Sequence, residues 1–342
     1  MTQPWQICCR TPDLDVLNPC PVGSFAPDSA RRYCRVLCYY SARLLGATDK
    51  RLPLLIVRID FLFLLMNRHS RVAINGAAGR MGRQLLAAVA ENGDCTLGAA
   101  LEIAGNQAVG TPIQLLIPGS DSDSNAAGAT GVVVDDVTGV VDDFDVCVDF
   151  TRPDGTLALI SNLSGSGKSM VIGTTGFTAE QLATLESAAT QHAIVFAPNY
   201  SVGVTLTLGL LKSAAASLGD DYDVEIIEAH HRNKVDAPSG TAIRMGEVVA
   251  DALGRNLDEC AIYGRQGVTD VRDTRTIGFE TVRAGDIIGD HTVLFAGQGE
   301  RIEITHRATD RMTFARGAVR AANWVHGQPP GLYDMTDVIG LR

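Results

Sequence analysis

The stretch RVAINGAAGRMGRQLL, residues 71–86, decides the fold class of this chain. Its first five residues have the pattern of a buried strand, and they run directly into glycines spaced as Gly76-x-x-Gly79-x-x-Gly82. A helical pattern follows at once. Glycines in such a connection permit a tight turn and a close approach of backbone to phosphate, while the N-terminus of the helix holds the pyrophosphate. The stretch therefore predicts a strand–turn–helix unit that binds a dinucleotide.

The next strand supports this interpretation. The spacing GxxGxxG is a weaker signal than GxGxxG, but a second apolar strand at 97–101 ends at Glu102, 20 residues after Gly82. A carboxylate at that place can bond the hydroxyls of the adenosine ribose. From these residues alone, a glycine-rich turn without a ligand remains the alternative.

Strand and helix patterns alternate as far as residue 201, which predicts a Rossmann-like, doubly wound parallel sheet of the α/β class. We expect strands near 71–75, 96–101, 132–134, 145–149, 170–173 and 194–197, and helices near 80–91, 155–163 and 179–192. The polar segment 119–131 predicts a surface loop.

The pattern changes after residue 201. We expect helices near 202–217 and 239–253, and strands near 223–228, 261–263, 276–283, 290–296 and 301–307. Alternation such as ERIEITH at 300–306 is typical of a sheet with one face in water. This half of the chain predicts a second, α+β domain.

Composition sets the outer bounds on function. A chain of 342 residues, with 46% hydrophobic and 20% charged residues, is typical of a soluble globular protein with two domains. Its net charge of −10 argues against a nucleic-acid partner. We expect no membrane partner either, because Arg58 and Asp60 interrupt the apolar run 52–66, which is too short to span a bilayer.

The segment EAHHRNKVDAPSGTA, residues 228–242, concentrates cationic and proton-donating groups. His230 and His231 have side chains that titrate near neutrality, and Lys234 adds a charge that an anion sees. The turn at 239–241 opens a helix, so the backbone N–H groups of Gly240 and Thr241 can bind a carboxylate, or Ser239 can act simply as an N-cap. This segment predicts a site for a small carboxylate substrate that gains a proton.

Together these segments resemble the 4-hydroxy-tetrahydrodipicolinate reductase (dihydrodipicolinate reductase) family of lysine and diaminopimelate biosynthesis. The resemblance runs from about residue 71 to residue 338. It rests on GAAGRMGRQL at 76–85, DFTRP at 149–153, VIGTTGF at 171–177, NYSVGV at 199–204, EAHH at 228–231, SGTA at 239–242, TIGF at 276–279, RAGD at 283–286 and GERIEITH at 299–306.

The resemblance implies a cytoplasmic homotetramer that reduces a small cyclic imine dicarboxylate with NADH, NADPH or both. It implies a nucleotide-binding domain made of 66–201 and 312–342, and a substrate and oligomerisation domain at 202–311 with an open mixed sheet. It also implies roles for site residues. The proton donor is His230 and the catalytic lysine is Lys234, while His231, Gly240 and Thr241 contact substrate. The implied cofactor-binding residues are Gly76, Ala77, Ala78, Gly79, Arg80, Met81, Glu102, Gly173, Thr174, Thr175, Ala197, Pro198, Asn199 and Tyr200.

One departure from the family pattern concerns cofactor choice. Members that use NADPH well often have Arg directly after the ribose-binding acid, but here Ile103 follows Glu102. Arg80 is then the remaining candidate cation for a 2′-phosphate. The sequence therefore puts a strong preference for NADP in doubt.

Residues 1–65 differ from the rest. They carry eight Lys and Arg against five Asp, a net charge of +3 that leaves −13 for the remainder, and five of the eight cysteines. A zinc site, a disulfide framework, a signal peptide and a transit peptide each fit poorly with the cysteine spacing, the position of the apolar run and the aspartates. We expect a poorly ordered extension outside the family, either translated upstream sequence or a dispensable arm, with Met66 as the natural start.

Two other classes of function stay open on the residues. A non-catalytic dinucleotide-binding redox sensor has no need for both His230 and Lys234. A thiol-dependent semialdehyde dehydrogenase needs a nucleophilic cysteine near a helix start, and Cys95, Cys147 and Cys260 lack that setting. These cysteines are far apart in the sequence, so we expect no metal site.

Overall fold

The structure, a computed structural model, describes residues 69–118 and 131–341. The expectations for 1–65, and for most of the loop at 119–131, lie outside the described residues. The strands are β1 (Ser70–Asn75), β2 (Cys95–Leu101), β3 (Val146–Asp149), β4 (Ser169–Ile172), β5 (Ala193–Phe196), β6 (Asp223–His230), β7 (Ala261–Tyr263), β8 (Ile277–Arg283), β9 (Gly289–Ala296), β10 (Arg301–Ala308) and β11 (Gly331–Tyr333). The helices are α1 (Arg80–Glu91), α2 (Pro153–Asn162), α3 (Ala179–Ala188), α4 (Val202–Leu218), α5 (Gly240–Ala252), α6 (Leu257–Cys260), α7 (Met312–Val325) and α8 (Met335–Val338).

The first sheet has six strands in the order β11-β5-β4-β3-β1-β2, and all its pairings are parallel. Its central strands are buried on both faces, so their sequences are continuous apolar runs. Helices α1 and α7 cover one face, with Leu85 and Val319 fully buried, and helices α2 and α3 cover the other. The sheet is therefore doubly wound, as predicted.

The turn between β1 and α1 is held by close backbone packing. Gly76 has a φ of +76°, which only glycine adopts easily. A Cβ added to Gly82 would lie 2.1 Å from the carbonyl oxygen of Gly76, so helix α1 begins hard against the end of β1. These contacts explain why the sequence has glycine at positions 76 and 82.

The second sheet has five strands in the order β10-β9-β6-β8-β7. Strands β6, β7 and β8 are parallel, whereas β9 runs antiparallel to β6 and β10. Helices α4 and α5 bury one face of this sheet around Val224, Ile226 and Phe295. The opposite face presents Ile227, Ile262 and Val282, which are 41%, 42% and 46% exposed.

The fold class is confirmed, and so are most of the predicted elements. The predicted strand at 132–134 is wrong, because Val132 and Val134 form only isolated bridges with Pro112 and Leu101. The sequence did not predict β11, which pairs with β5 as the edge of the first sheet, or the short helix α6. Helix α7 packs against α1 and β4 of that sheet. The division into 66–201 plus 312–342 and 202–311 stays a prediction.

Helix α4 lies in a long apolar stretch of the chain. Among the described residues, the stretch Val202–Asp221 alone is long and apolar enough to cross a membrane by length and composition. It packs against α5, β10 and α7. A core helix passes the same test, so the finding is weak evidence for a membrane span.

Candidate active site

The glycine turn is tied to the end of β2. The backbone N–H groups of Gly76 and Ala77 both donate to the carbonyl oxygen of Leu101, at 2.9 Å each. The next N–H, that of Ala78, donates to Oε1 of Glu102 at 2.8 Å, and Asn106 Nδ2 donates to Oε2 at 3.0 Å. The predicted ribose-binding acid is thus held in a fixed orientation beside the turn that is predicted to hold the pyrophosphate.

A cleft of about 1330 Å³ opens over this turn. Of the predicted cofactor-binding residues, it is lined by Gly76, Ala78, Gly79 and Glu102. Ala77 is buried beneath the turn, and Met81 packs against the core. Ile103 lines the cleft and is 77% exposed.

The structure also brings an unpredicted cation to the cleft. Arg83 lines it and donates from Nε to the carbonyl oxygen of Ala78 at 3.0 Å. Arg80, the candidate named from the sequence, is exposed and is not among the lining residues. Arg83 is one helical turn after Gly79, so helical spacing alone could have suggested it.

Asp149, at the end of β3, joins the ends of three neighbouring strands. Its carboxylate is fully buried and accepts bonds from Asn75 Nδ2 at 3.0 Å and from Thr151 Oγ1 at 2.7 Å. The hydroxyls of Thr156 and Thr174 bond its other oxygen. These donors satisfy a buried carboxylate without a cation.

The predicted nicotinamide-side residues follow β4. A Cβ at Gly173 would lie 2.1 Å from the ring of Phe150, so the backbone passes directly over that ring. The Thr174 side chain is 2% exposed and lies 2.9 Å from Thr156 Oγ1, whereas Thr175 is exposed. Thr174 can therefore face a ligand only through its backbone.

The predicted segment 197–200 connects the two sheets. Tyr200 is 1% exposed, and its hydroxyl lies 2.9 Å from the carbonyl oxygens of Ile172 and Val195. Burial raises the pKa of this hydroxyl well above its ordinary value. The ring is therefore part of the core, and a cofactor contact at this residue requires its backbone. Ala197 is buried as well, whereas Pro198 is exposed.

The second half of the site begins at the end of β6. Glu228 and His230 point to the same covered face of the strand, since they are two residues apart. Nδ1 of His230 lies 2.5 Å from Oε2 of Glu228. Arg283, at the end of β8, donates to both carboxylate oxygens of Glu228 at 2.8 Å each. The register of β6 and β8 sets His230 beside Arg283.

This arrangement fixes the protonation of the cluster. Burial alone would raise the pKa of Glu228, but the bonds from Arg283 and His230 outweigh it and hold that pKa below its ordinary value. Burial lowers the pKa of His230, and the bond to Glu228 opposes the change without reversing it. His230 is therefore mainly neutral near pH 7, with Nδ1 committed to Glu228 and Nε2 left for other chemistry.

Lys234 and His231 lie in the loop after β6. Nζ of Lys234 forms an ion pair with Oδ2 of Asp236 at 2.8 Å. Nδ1 of His231 is buried without a hydrogen-bond partner among the described residues. A carboxylate that enters here would meet a lysine already held in place by a neighbouring aspartate.

The predicted carboxylate-binding turn lies next to His230. Ser239 is 2% exposed, and its hydroxyl accepts from the backbone N–H of Ala242 at 3.1 Å as the N-cap of α5. Its own N–H donates to Oε1 of Glu228 at 3.1 Å. Thr241 Oγ1 accepts from Asn199 Nδ2 at 3.3 Å. That bond joins a predicted cofactor-side residue to a predicted substrate-side residue.

The cysteines bear on the alternative enzyme class. Burial raises the pKa of the Cys95 thiol to about 11 and raises that of Cys147 well above its ordinary value. Burial raises the pKa of Cys260 as well. No activated thiol is present among residues 69–118 and 131–341, and no group of His, Cys, Asp and Glu in those ranges is arranged to hold a metal ion.

A doubly wound parallel sheet with a glycine turn, joined to a mixed sheet that carries a histidine–carboxylate–arginine cluster, is typical of two-sheet, nicotinamide-dependent oxidoreductases. Two family models match the chain, "Dihydrodipicolinate reductase, N-terminus" over residues 70–200 and "Dihydrodipicolinate reductase, C-terminus" over residues 203–339. The chain belongs to the dihydrodipicolinate reductase family.

Individual relatives agree with the family models. A 4-hydroxy-tetrahydrodipicolinate reductase of Hahella chejuensis (strain KCTC 2396) is 58% identical over 275 residues, which are 80% of this chain and 100% of the relative. One of Alkalilimnicola ehrlichii is 56% identical over 273 residues, 80% of this chain and 99% of the relative. The structure of a dipicolinate-bound dihydrodipicolinate reductase from Paenisporosarcina sp. TG-14 has a TM-score of 0.62 at 27% identity, covering 79% of this chain and 99% of that chain.

Proposed function

We propose that this chain catalyses the reduction of 4-hydroxy-tetrahydrodipicolinate to tetrahydrodipicolinate in lysine and diaminopimelate biosynthesis. The observation that carries the proposal is the cluster in which Glu228 holds His230 on one side and the N–H of Ser239 on the other. It combines a proton donor with a turn that can receive a carboxylate. A nicotinamide bound here would supply a hydride. Together with one proton, the hydride replaces the 4-hydroxyl group, which leaves as water.

His230 delivers the proton. Its Nδ1 is engaged by Glu228, so Nε2 is the atom that carries a proton to the substrate. The ring is mainly neutral before binding, because burial lowers its pKa. Two substrate carboxylates brought into the site favour the imidazolium and raise that pKa, which loads the donor when the substrate arrives.

Lys234 and the turn at Gly240 and Thr241 bind the substrate. Lys234 offers a point charge, and its ion pair with Asp236 keeps Nζ within the loop. Backbone N–H groups at the start of α5 add donors whose orientation is fixed by the helix. His231 completes the set, because its buried Nδ1 has no hydrogen-bond partner in 69–118 and 131–341 and can bond a substrate oxygen.

The cofactor is bound by the turn at 76–79 and by Glu102, and we propose that NADH serves at least as well as NADPH. The Glu102 carboxylate can accept bonds from free ribose hydroxyls, but it repels a 2′-phosphate. Arg83 lies in the same cleft and offsets that repulsion only in part, because its Nε is engaged by Ala78.

We further propose a cytoplasmic homotetramer with 202–311 as its assembly domain. The open face of the second sheet supports this proposal, because the apolar side chains of Ile227, Ile262 and Val282 on that face are 41% to 46% exposed. Sedimentation analysis of the purified protein tests it, and a monomer at micromolar concentration would contradict it.

A coupled assay tests the activity itself. Pyruvate, aspartate semialdehyde and the upstream synthase generate the substrate, and the oxidation of NADH and of NADPH is followed in parallel. We expect oxidation of both cofactors that depends on the synthase. Tight binding of the cofactor with no oxidation would instead favour a redox sensor of the same fold.

A further inference from the structure

The second sheet contains a buried histidine that the proposed mechanism does not use. His291 on β9 is 4% exposed. The strand register sets it opposite Glu228 on β6 and opposite His306 on β10. It therefore lies on the covered face of the sheet, next to His230. The centroids of the two imidazole rings are 5.0 Å apart.

His291 contacts the residue that begins helix α5. Its Nε2 lies 2.9 Å from Oγ of Ser239, and that oxygen also accepts the N–H of Ala242. The backbone N–H of Ser239 donates to Glu228. Ser239 is thus held at its backbone by Glu228 and at its hydroxyl by His291.

Helix α5 has a local N-cap in Ser239, but it lacks the reciprocal acceptor that would complete a capping box. Helix α3 begins with a capping box, in which Thr178 and Gln181 satisfy each other's N–H groups. In α5 the equivalent third position is Ala242, which has no side-chain acceptor. Glu228 accepts the N–H of Ser239 in place of that side chain, and His291 adds a contact to the Ser239 hydroxyl. The same cluster that holds His230 therefore also orients the start of α5.

His291 performs this function as a neutral ring. When Nε2 carries the ring proton and donates to Ser239 Oγ, Nδ1 carries no proton. Protonation would then place an N–H at Nδ1, which is buried without a hydrogen-bond partner among the described residues. The groups that face it are His230 and Glu228 from β6, His306 from β10 and Lys234 from the following loop. Burial is the largest cause that lowers its pKa to about 4.

We propose that His291 is a positioning residue for substrate binding, which fixes the Ser239 hydroxyl and, through it, the Gly240–Thr241 turn that receives a substrate carboxylate. This inference rests on the proposed function. It adds a residue from β9, 52 positions from Ser239, to the determinants of substrate affinity.

The test measures the affinity of pyridine-2,6-dicarboxylate, a planar mimic of the substrate, by calorimetry in saturating NADH. His291→Leu removes the bond to Ser239, and we expect binding about three- to tenfold weaker, as the loss of one neutral hydrogen bond allows. The KM for substrate rises by the same factor, whereas the KM for NADH and kcat change by less than about twofold. His291→Gln, whose amide reaches the place of Nε2, restores binding to near that of the wild type.

A matched control separates positioning from general stability. His192 is 3% exposed, and its Nδ1 lies 2.8 Å from the carbonyl oxygen of Lys168, beside the first sheet. His192→Leu removes a comparable buried bond and leaves mimic binding unchanged. Equal weakening by His192→Leu and His291→Leu would overturn the proposal.

A double-mutant cycle gives a second route if His291→Leu folds poorly. Ser239→Ala weakens binding, and adding His291→Gln or His291→Leu to it has little further effect if the two residues act through one bond. Additive effects would overturn the proposal. If the wild type itself fails to bind the mimic, the proposed function fails instead, so the two failures are distinguishable.

Discussion

The two halves of the candidate site are built from different groups. At the carboxyl end of the first sheet, the groups proposed to bind the cofactor are mostly backbone atoms of the turn that contains Gly76, Gly79 and Gly82. At the end of the second sheet they are side chains from β6, β8, β9 and the start of α5. Glu228 and Arg283 alone are 55 positions apart. The first half depends on the absence of side chains, whereas the second depends on strand register.

The largest loss of activity is expected from a substitution in the half of the site that is built from side chains. We expect His230→Gln to lower kcat by about 10²–10⁴-fold, the usual effect of losing a general acid. The KM for NADH should stay within about twofold, because the residue lies on the second sheet. Steady-state kinetics in the coupled assay measure both values. His69→Gln, at an exposed position outside the site, is the matched control, and near-normal turnover by His230→Gln would contradict the assignment.

The same half should make the protein sensitive to acid. Burial lowers the pKa of His291 from 6.5 to about 4. Between those pH values the unfolded chain binds more protons than the folded one, so the free energy of unfolding falls as the pH drops through this window. A difference of about 2.5 pKa units corresponds to about 3 kcal/mol. His230 and His306, whose pKa values are also lowered, act in the same direction.

Denaturant unfolding at pH 8, 6.5, 5 and 4 measures this effect. The loss of stability between pH 6.5 and pH 4 should be about 3 kcal/mol smaller in His291→Gln than in the wild type. Parallel curves for the two proteins would show that His291 does not titrate in this window. The comparison at pH 8 supplies the baseline difference between them.

In the half of the site that is built from backbone groups, the addition of one carbon atom to a glycine should weaken cofactor binding. A Cβ on Gly82 would lie 2.1 Å from the carbonyl oxygen of Gly76, so Gly82→Ala must displace the turn. Overpacking of this kind costs about 1–3 kcal/mol, and we expect the KM for NADH to rise roughly tenfold to a hundredfold. Gly93→Ala is the control, because nothing lies within 4 Å of its added Cβ. An unchanged KM for NADH in Gly82→Ala would contradict the role of the turn.

Cofactor choice should change by a smaller factor. Ile103 lines the cleft beside Glu102 and is 77% exposed, so an arginine fits there without repacking the core. We expect Ile103→Arg to shift the ratio of kcat/KM toward NADPH by about tenfold, as one ionic hydrogen bond allows. Val268→Arg, at a fully exposed position after β7, adds the same charge elsewhere. A wild type that strongly prefers NADPH, unchanged by Ile103→Arg, would assign the choice to Arg83.

The smallest expected effect concerns residues 1–65. They lie outside both family models, which begin at residue 70 and residue 203. We expect a protein that begins at Met66 to keep its kcat/KM and its thermal midpoint. Lower activity or solubility than in the full-length chain would show that the extension contributes to the folded enzyme.

The sequence predicts the first half of the site better than the second for a physical reason. Glycine spacing and an acid at a fixed distance are local signals, so the turn at 76–82 and Glu102 could be named in advance. Glu228 lies two residues before His230, and strand periodicity could have identified it. Arg283 and His291 come to the cluster only through the register of β6 with β8 and β9, which the sequence does not specify.

The same contrast applies to the fold: elements set by local sequence were predictable, whereas elements that depend on pairing with a distant segment were not. Helix α1 was predicted with its bounds because the glycine turn and an apolar stripe define both ends. Strand β11 has three residues, and only its pairing with β5 makes it a strand. The predicted strand at 132–134 had the right composition but lacks a continuous partner. Tyr200 was predicted to contact the cofactor, yet its ring fills the core between β4 and β5.

The bond between Asn199 Nδ2 and Thr241 Oγ1 has a thermodynamic consequence. It links the connection between the sheets to the start of α5, so a displacement of one is transmitted to the other. If a ligand on the first sheet draws Asn199 into a new position, the affinity of the second site changes, and reciprocity requires the second ligand to change the first affinity by the same factor. One amide and one hydroxyl thus give the enzyme a route to cooperative binding, in which the occupant of either half changes the affinity of the other.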